Sequence, residues 1–264
     1  MKTIEEYNQD ILQNPNSAEL HYYRGVAYYT EGSNNWAIAN HLQANASYTK
    51  AIADLSKAIE LAPNAKQPYN YRGMLYYNMG DDDKAIADFS KLIDELKSND
   101  ADVFYFRGLV YLTSKKDTKQ AIEDFNKALK INPDCTNAYR KLGDAYFSMG
   151  DNDKAIENFI EVIKREPNAQ AFFSLGNAYY ARGKAKNVKE DNALSIDNFN
   201  KALELNNEFA LAYLNRGQAY GNSEQAIEDF QKALSLSLPN EFIEIAKGLL
   251  ETTQNIVIAH NKLR

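Results

Sequence analysis

Cysteine is almost absent from this 264-residue chain: Cys135 stands alone, so neither an intramolecular disulfide nor a thiolate metal cage can be built. Histidine is nearly as scarce, and His21, His41 and His260 are scattered along the chain. No HExxH pair, glycine-rich phosphate loop, dinucleotide fingerprint or nucleophile elbow occurs. No apolar run approaches the roughly 20 residues needed to cross a bilayer, and the opening MKTIEEYNQD lacks the apolar stretch of a signal peptide. Positive charge is in deficit: 30 basic against 36 acidic side chains leave a formal net charge of −6, the wrong sign for wrapping a phosphate backbone. The expectation is a cytoplasmic, non-enzymatic protein with no cofactor, no metal, and neither nucleic acid nor a membrane as partner. Wholesale disorder is excluded as well, because 44% of the residues are hydrophobic.

Tyrosine, by contrast, is abundant (18 residues), and it recurs in a pattern. Glycines at 25, 73, 108, 143, 176 and 217 are each followed three residues later by a tyrosine and preceded four residues earlier by His21, Tyr69, Phe104, Tyr139, Phe172 or Tyr213. These spacings put the residues on one face of a helix. A second stripe follows each glycine. A small residue before isoleucine (Ala51, Ala85, Ala121, Ala155, Ser195, Ala226) is succeeded at +4 by Leu55 or by Phe89, Phe125, Phe159, Phe199 or Phe230. The pattern predicts a helical hairpin repeated six times, the glycine meeting the small residue so that the two axes approach closely. One hairpin cannot bury its apolar faces alone, so neighbours must stack. Nothing alternates with period two, so strands have no support.

Arginine also travels with aspartate. The residue before each glycine and the one three after each small residue read Arg24/Asp54, Arg72/Asp88, Arg107/Asp124, Leu142/Asn158, Leu175/Asn198 and Arg216/Asp229. A partly buried ion pair is expected within four hairpins and a neutral pair in two. Other candidate chemistry reads more simply as structure: His21 takes the place of a packed aromatic, and the acidic runs 81–83 and 151–153 stand just before helix starts, where they would cap. Cys135 has no catalytic context.

This arrangement resembles the tetratricopeptide repeat family, whose 34-residue unit carries small and aromatic residues at these spacings. The resemblance implies an all-α fold, a right-handed α-solenoid of antiparallel helix pairs. It implies a single array over 1–264: a half repeat at 3–17, six helix-pair repeats over 18–239, and a C-terminal capping helix at 240–264. Insertions at about 33–48 and 184–192 fall between paired helices, the first containing the only tryptophan, Trp36. Its removal is expected to leave folding intact.

The resemblance further implies that first helices line a concave groove, with residues at −3, −2, +1 and +4 from each glycine facing it. Carried over, the partner-binding residues are Tyr22, Tyr23, Asn70, Tyr71, Met74, Tyr105, Phe106 and Leu109 in an aromatic half, and Arg140, Lys141, Asn177 and Asn215 in a polar half. Val26, Phe173 and Leu214 share such positions. A protein or peptide ligand with apolar anchors and a polar or acidic flank is the expected partner. Asn177 and Asn215 also match the two asparagines of the family's carboxylate clamp, but Phe173 replaces its first lysine and Phe242 and Ala246 its final basic pair, so chaperone tails are not expected. The competing reading is a self-associating scaffold, a weak homodimer formed through Ile243, Leu250 and Val257 of the C-terminal helix.

Overall fold

The computed structural model describes residues 2–262, which form helices and turns in two compact units divided after Pro133. The first unit contains α1 (Ile4–Gln13), α2 (Ala18–Ala37), α3 (His41–Leu61), α4 (Lys66–Asn78), α5 (Asp82–Ser90), α6 (Ala101–Thr113) and α7 (Thr118–Ile131). The second contains α8 (Thr136–Ser148), α9 (Asn152–Arg165), α10 (Ala169–Lys186), α11 (Lys189–Leu205), α12 (Ala210–Tyr220), α13 (Glu224–Ser235) and α14 (Asn240–Lys262). Within each unit every helix packs on the next, so both are stacks of antiparallel helix pairs of the α-solenoid class. Leu263 and Arg264, the end of the expected capping helix, lie outside the described residues.

Local chemistry explains where the helices begin and end. Pro15, Pro63, Pro133 and Pro167 each stand two residues beyond a helix, where a missing amide and fixed φ prevent continuation. Ser17, Asp117, Asn168 and Ser223 each accept a bond from the backbone amide three residues on. The acidic runs behave unequally: Asp151 caps α9, whereas Asp81 pairs with Lys84 and makes no side-chain cap.

The close approach of paired helices has a different basis from the one expected. The first-helix glycine seats the aromatic ring four residues after the small side chain. A Cβ at Gly73 would stand 2.8 Å from the ring of Phe89, and one at Gly108 2.8 Å from that of Phe125. Those rings are fully buried, each contributing about 1.5–3 kcal/mol through lost apolar surface. The small residue supplies backbone proximity: the Ala121 carbonyl lies 3.3 Å from the same Gly108 position.

All four Arg–Asp pairs form, each through two parallel bonds. Arg24 reaches Asp54 at 2.7 and 2.6 Å, Arg72 reaches Asp88 at 2.8 and 2.7 Å, Arg107 reaches Asp124 at 2.8 and 2.8 Å, and Arg216 reaches Asp229 at 2.8 and 2.7 Å. The third guanidinium nitrogen crosses to the preceding hairpin, donating to Asn8, Ser56, Ser90 and Asn200 respectively. The tyrosines at −4 and +3 flank the cation: Arg72 lies 5.7 Å from both Tyr69 and Tyr76, and Arg216 lies 5.4 and 5.8 Å from Tyr213 and Tyr220. In the two neutral hairpins Asn158 and Asn198 bond a carbonyl of their own helix. Burial pushes the Asp88 carboxyl up against the opposing pull of Arg72, so the clamp fixes register more than it adds net stability. His21 joins this scheme, with Nδ1 3.1 Å from Asp54 and Nε2 3.0 Å from the Pro15 carbonyl, just as Tyr69 donates to the Pro63 carbonyl at 3.2 Å.

Neither long insertion is a loose loop. The first lengthens α2 and α3 together, and the added turns carry their own core: Ala44 and Tyr48 are buried, a Cβ at Gly32 would run into the Tyr48 ring, and Ser47 donates to Glu31 at 2.6 Å. The tip is exposed, with Trp36 at 49%, Ile38 at 74% and Leu42 at 86%. The second lengthens α10 and α11, tied by Arg182 to buried Asp191 at 2.8 Å and to Asp153 at 3.0 Å.

Two outcomes follow. Arg107→Leu should lower stability by about 3–5 kcal/mol in urea melts, because buried Asp124 loses its partner, and by far less in an Asp124→Asn background. Equal losses in both backgrounds would disprove the pairing. Replacing residues 34–43 by a short turn should preserve cooperative melting, whereas Tyr48→Ala should cost about 3–5 kcal/mol, as removal of a buried ring does.

Candidate partner-binding surface

In the first unit, α2 and α4 place tyrosines one above another because residues three and four apart share a helix face. Tyr22 lies 5.1 Å from Tyr23 and 5.9 Å, edge-on, from Tyr71, which in turn lies 5.6 Å from Tyr29. Tyr7 of α1 stacks on Tyr23 at 6.3 Å, and Tyr48 of α3 approaches Tyr29 at 6.2 Å, making a continuous row of six rings. Of this row, Tyr7 and Tyr48 were outside the expected groove positions. Tyr29 occupied the +4 position of the pattern, while Tyr48 belongs to the insertion and Tyr7 to the half repeat, where no glycine marks the register. Tyr23 is the most open of the row at 38% exposed, and burial together with neighbouring Tyr71 and Tyr23 pushes the Tyr22 phenol up to about 12.

On α6, Tyr105 and Phe106 contact one another at 5.4 Å and also touch core rings, Tyr105 with Phe125 at 5.8 Å and Phe106 stacked on Phe89 at 6.3 Å. Met74 packs partly into the same cluster. Leu109 is buried and presents little surface to a ligand, and the same correction holds for Val26, Phe173 and Leu214. Phe173 fills space between Phe199 and Phe209, at 6.0 and 4.7 Å. These apolar side chains were assigned outward by position, yet the helix layers offer them a better-packed place within.

The second unit's polar residues are partnered internally. Asn215 donates to Asn177 at 2.8 Å, joining α12 to α10. Exposed Arg140 bonds Asn137, and Lys141 lies 3.6 Å from Asp144. Along α14, Ile243 and Leu250 pack against the α13 core, so much of the line expected to self-associate is already covered. Among the described residues no cluster of three His, Cys, Asp or Glu side chains is placed to hold a metal, and no helix is long and apolar enough to cross a membrane.

Family profiles described as tetratricopeptide repeat match residues 37–101, 140–187 and 210–240, and one described as TPR repeat matches 112–150. The chain belongs to the tetratricopeptide repeat family. It is 29% identical over 168 residues to human Tetratricopeptide repeat protein 13, covering 61% of this chain and 18% of that protein. It is 26% identical over 168 residues to mouse DnaJ homolog subfamily C member 7, covering 58% and 33%. The chain thus spans well under half the length of these relatives. Among solved structures, YrrB, described as a TPR protein with an unusual peptide-binding site, superposes with a TM-score of 0.59 at 22% identity, covering 80% of this chain and 97% of that one. MamA superposes with a TM-score of 0.55 at 26% identity, covering 71% and 94%. Tetratricopeptide repeat proteins generally mediate protein–protein interaction, and their fold is typically that of an interaction module.

A phenol that keeps its proton more tightly when folded loses its stabilising effect as pH rises past the unfolded value. Stability should therefore decline between about pH 10 and 12, less steeply in Tyr22→Phe, as read by chemical melts alongside ultraviolet titration of the tyrosines.

Proposed function

We propose that the protein is a cytoplasmic adaptor that holds a peptide or helix of a partner protein against its first helices, its main anchors on the aromatic row of the first unit. The observation that carries this reading is the row itself. The glycine-seated rings already supply the helix-to-helix packing, and the −4 and +3 tyrosines flank the arginines, yet Tyr22, Tyr23 and Tyr71 form a further set in which Tyr23 is exposed. Aromatic side chains give large contact area at low conformational cost, and interface energy concentrates in a few of them. Net negative charge favours protein over nucleic acid as the partner.

Selection of displayed random peptides on the purified chain, followed by affinity measurement, tests this. Tyr23→Ala and Tyr71→Ala should each weaken the selected peptide by about 2 kcal/mol, near thirtyfold, and Tyr23→Ala should leave the melting temperature close to wild type. Undiminished affinity in both variants would place the binding surface elsewhere.

A further inference from the structure

Between Glu31 and Lys50 the chain carries no lysine, arginine, aspartate or glutamate: eighteen consecutive residues, where 25% of the whole chain is charged. This stretch is the insertion of the first hairpin. α2 runs twelve residues past Gly25 and α4 five past Gly73, while α3 begins ten residues before Ala51 and α5 three before Ala85. Both helices of the first hairpin are thus seven residues longer than their counterparts at this end, which carries the tip about 10 Å further out.

The apex is apolar. Trp36 stands at the end of α2, Ile38 in the turn and Leu42 at the start of α3, all three exposed. The turn closes on itself. Ala39 takes the left-handed region (φ 58°), its amide and that of Asn40 bond the Trp36 and Asn35 carbonyls at 3.0 and 2.9 Å, and Asn40 Oδ1 accepts from the Gln43 amide at 3.3 Å. The Trp36 ring lies 4.3 Å from that of His41. The other polar side chains nearby are largely neutral amides, Asn34, Asn35, Gln43 and Asn45. The nearest charges along either helix lie at the base, Glu31 accepting from Ser47 and Lys50 standing 5.3 Å from the Tyr28 ring.

We propose that this tip enters the interfacial layer of a neutral lipid membrane, a peripheral contact that accompanies partner binding. The overhang matches the roughly 5–10 Å to which amphipathic elements sink into the headgroup boundary. Over that depth no Lys, Arg, Asp or Glu side chain has to leave water, and the amides bonded within the turn reduce the cost for the backbone. Tryptophan favours this layer. A second copy of the chain is a poorer occupant, because three side chains fall short of the roughly 1,000 Å² that a stable protein interface buries. A partner's groove reads a stripe along one helix, whereas these side chains come from a helix end, a turn and the next helix start. With a net charge of −6 and no lysine or arginine at the tip, an anionic surface offers no advantage over a neutral one. The expectation that no membrane is a partner rested on missing spanning and leader segments, and an interfacial tip requires neither.

Trp36 is the only tryptophan, so its fluorescence reports on the tip alone. Attachment by three side chains is weaker than that of a single myristoyl chain (roughly 10⁴ M⁻¹), so the full chain is titrated with phosphatidylcholine vesicles to about millimolar lipid. Emission should shift to the blue, be quenched by lipids brominated at the headgroup end of their chains, and be accompanied by sedimentation with the vesicles. Ile38→Asp and Leu42→Asp should each weaken binding about tenfold or more, since burial of one such side chain is worth that much, and both should melt like wild type because the side chains are exposed. Phosphatidylserine vesicles should bind no more tightly, and added salt should leave the affinity for neutral vesicles unchanged. Emission that ignores vesicles, binding that survives both substitutions, or a preference for anionic vesicles that salt removes would each overturn the proposal. So would a blue shift that grows with protein concentration in the absence of lipid, which would put a second copy on the tip. Neither substitution touches Tyr23 or Tyr71, so vesicle binding and peptide binding fail or succeed separately.

Discussion

The distance between paired helices is set by a ring lying on a glycine. A phenylalanine from the second helix occupies the space that a Cβ would take on the first, at Gly73 and Phe89 as at Gly217 and Phe230. Everything else inherits that spacing. At a larger separation, the arginine beside the glycine could not place both of its nitrogens on an aspartate of the facing helix, and the tyrosines one turn to either side could not flank the guanidinium. Apolar packing therefore fixes a geometry within which a buried ion pair can be fully satisfied. That order of dependence matters, since a buried pair in imperfect geometry is a net burden.

The same framework explains how the two insertions are accommodated. A hairpin whose helices are already parallel and closely spaced can be lengthened at its open end if the added turns repeat the device on a smaller scale. Gly32 against Tyr48 does so in the first unit, and Gly183 near Asp191, with Arg182 bridging, does so in the second. Ala85 and Gly108 stand twenty-three residues apart where Ala51 and Gly73 stand twenty-two, and this extra residue cannot be handled in that way because it falls within a helix that must stay in register at both ends. It emerges as a π-helical turn, Lys91–Glu95.

Much of the fold was legible in the residues, for a physical reason: helical periodicity and internal repetition are local properties that six copies state six times. The Arg–Asp pairing was legible for the same reason, since Leu142 and Leu175 lose the aspartate together with the arginine. Less legible was which way an apolar side chain turns. Leu109 and Phe173 hold positions assigned to the binding face, but both are buried, Phe173 against the rings of Phe199 and Phe209. The aromatic row was read only in part because Tyr7 and Tyr48 sit where no glycine sets the phase. The π-helical turn at Lys91–Glu95 depends on one residue of phase, too small a departure to register against a repeat that tolerates insertions elsewhere.

The third bond of each arginine carries a consequence for how the array comes apart. In the first unit Arg24, Arg72 and Arg107 each hold their own hairpin and the one before it, so no helix pair there can open without stripping partners from its neighbour. In the second unit Leu142 and Leu175 take the arginine's place, yet Arg182 of α10 reaches Asp153 of the preceding hairpin and Arg216 of α12 reaches Asn200. For a linear array whose cooperativity is the sum of nearest-neighbour terms, each such bond raises the cost of opening one hairpin by itself, so the repeats of a unit are expected to come apart together rather than singly.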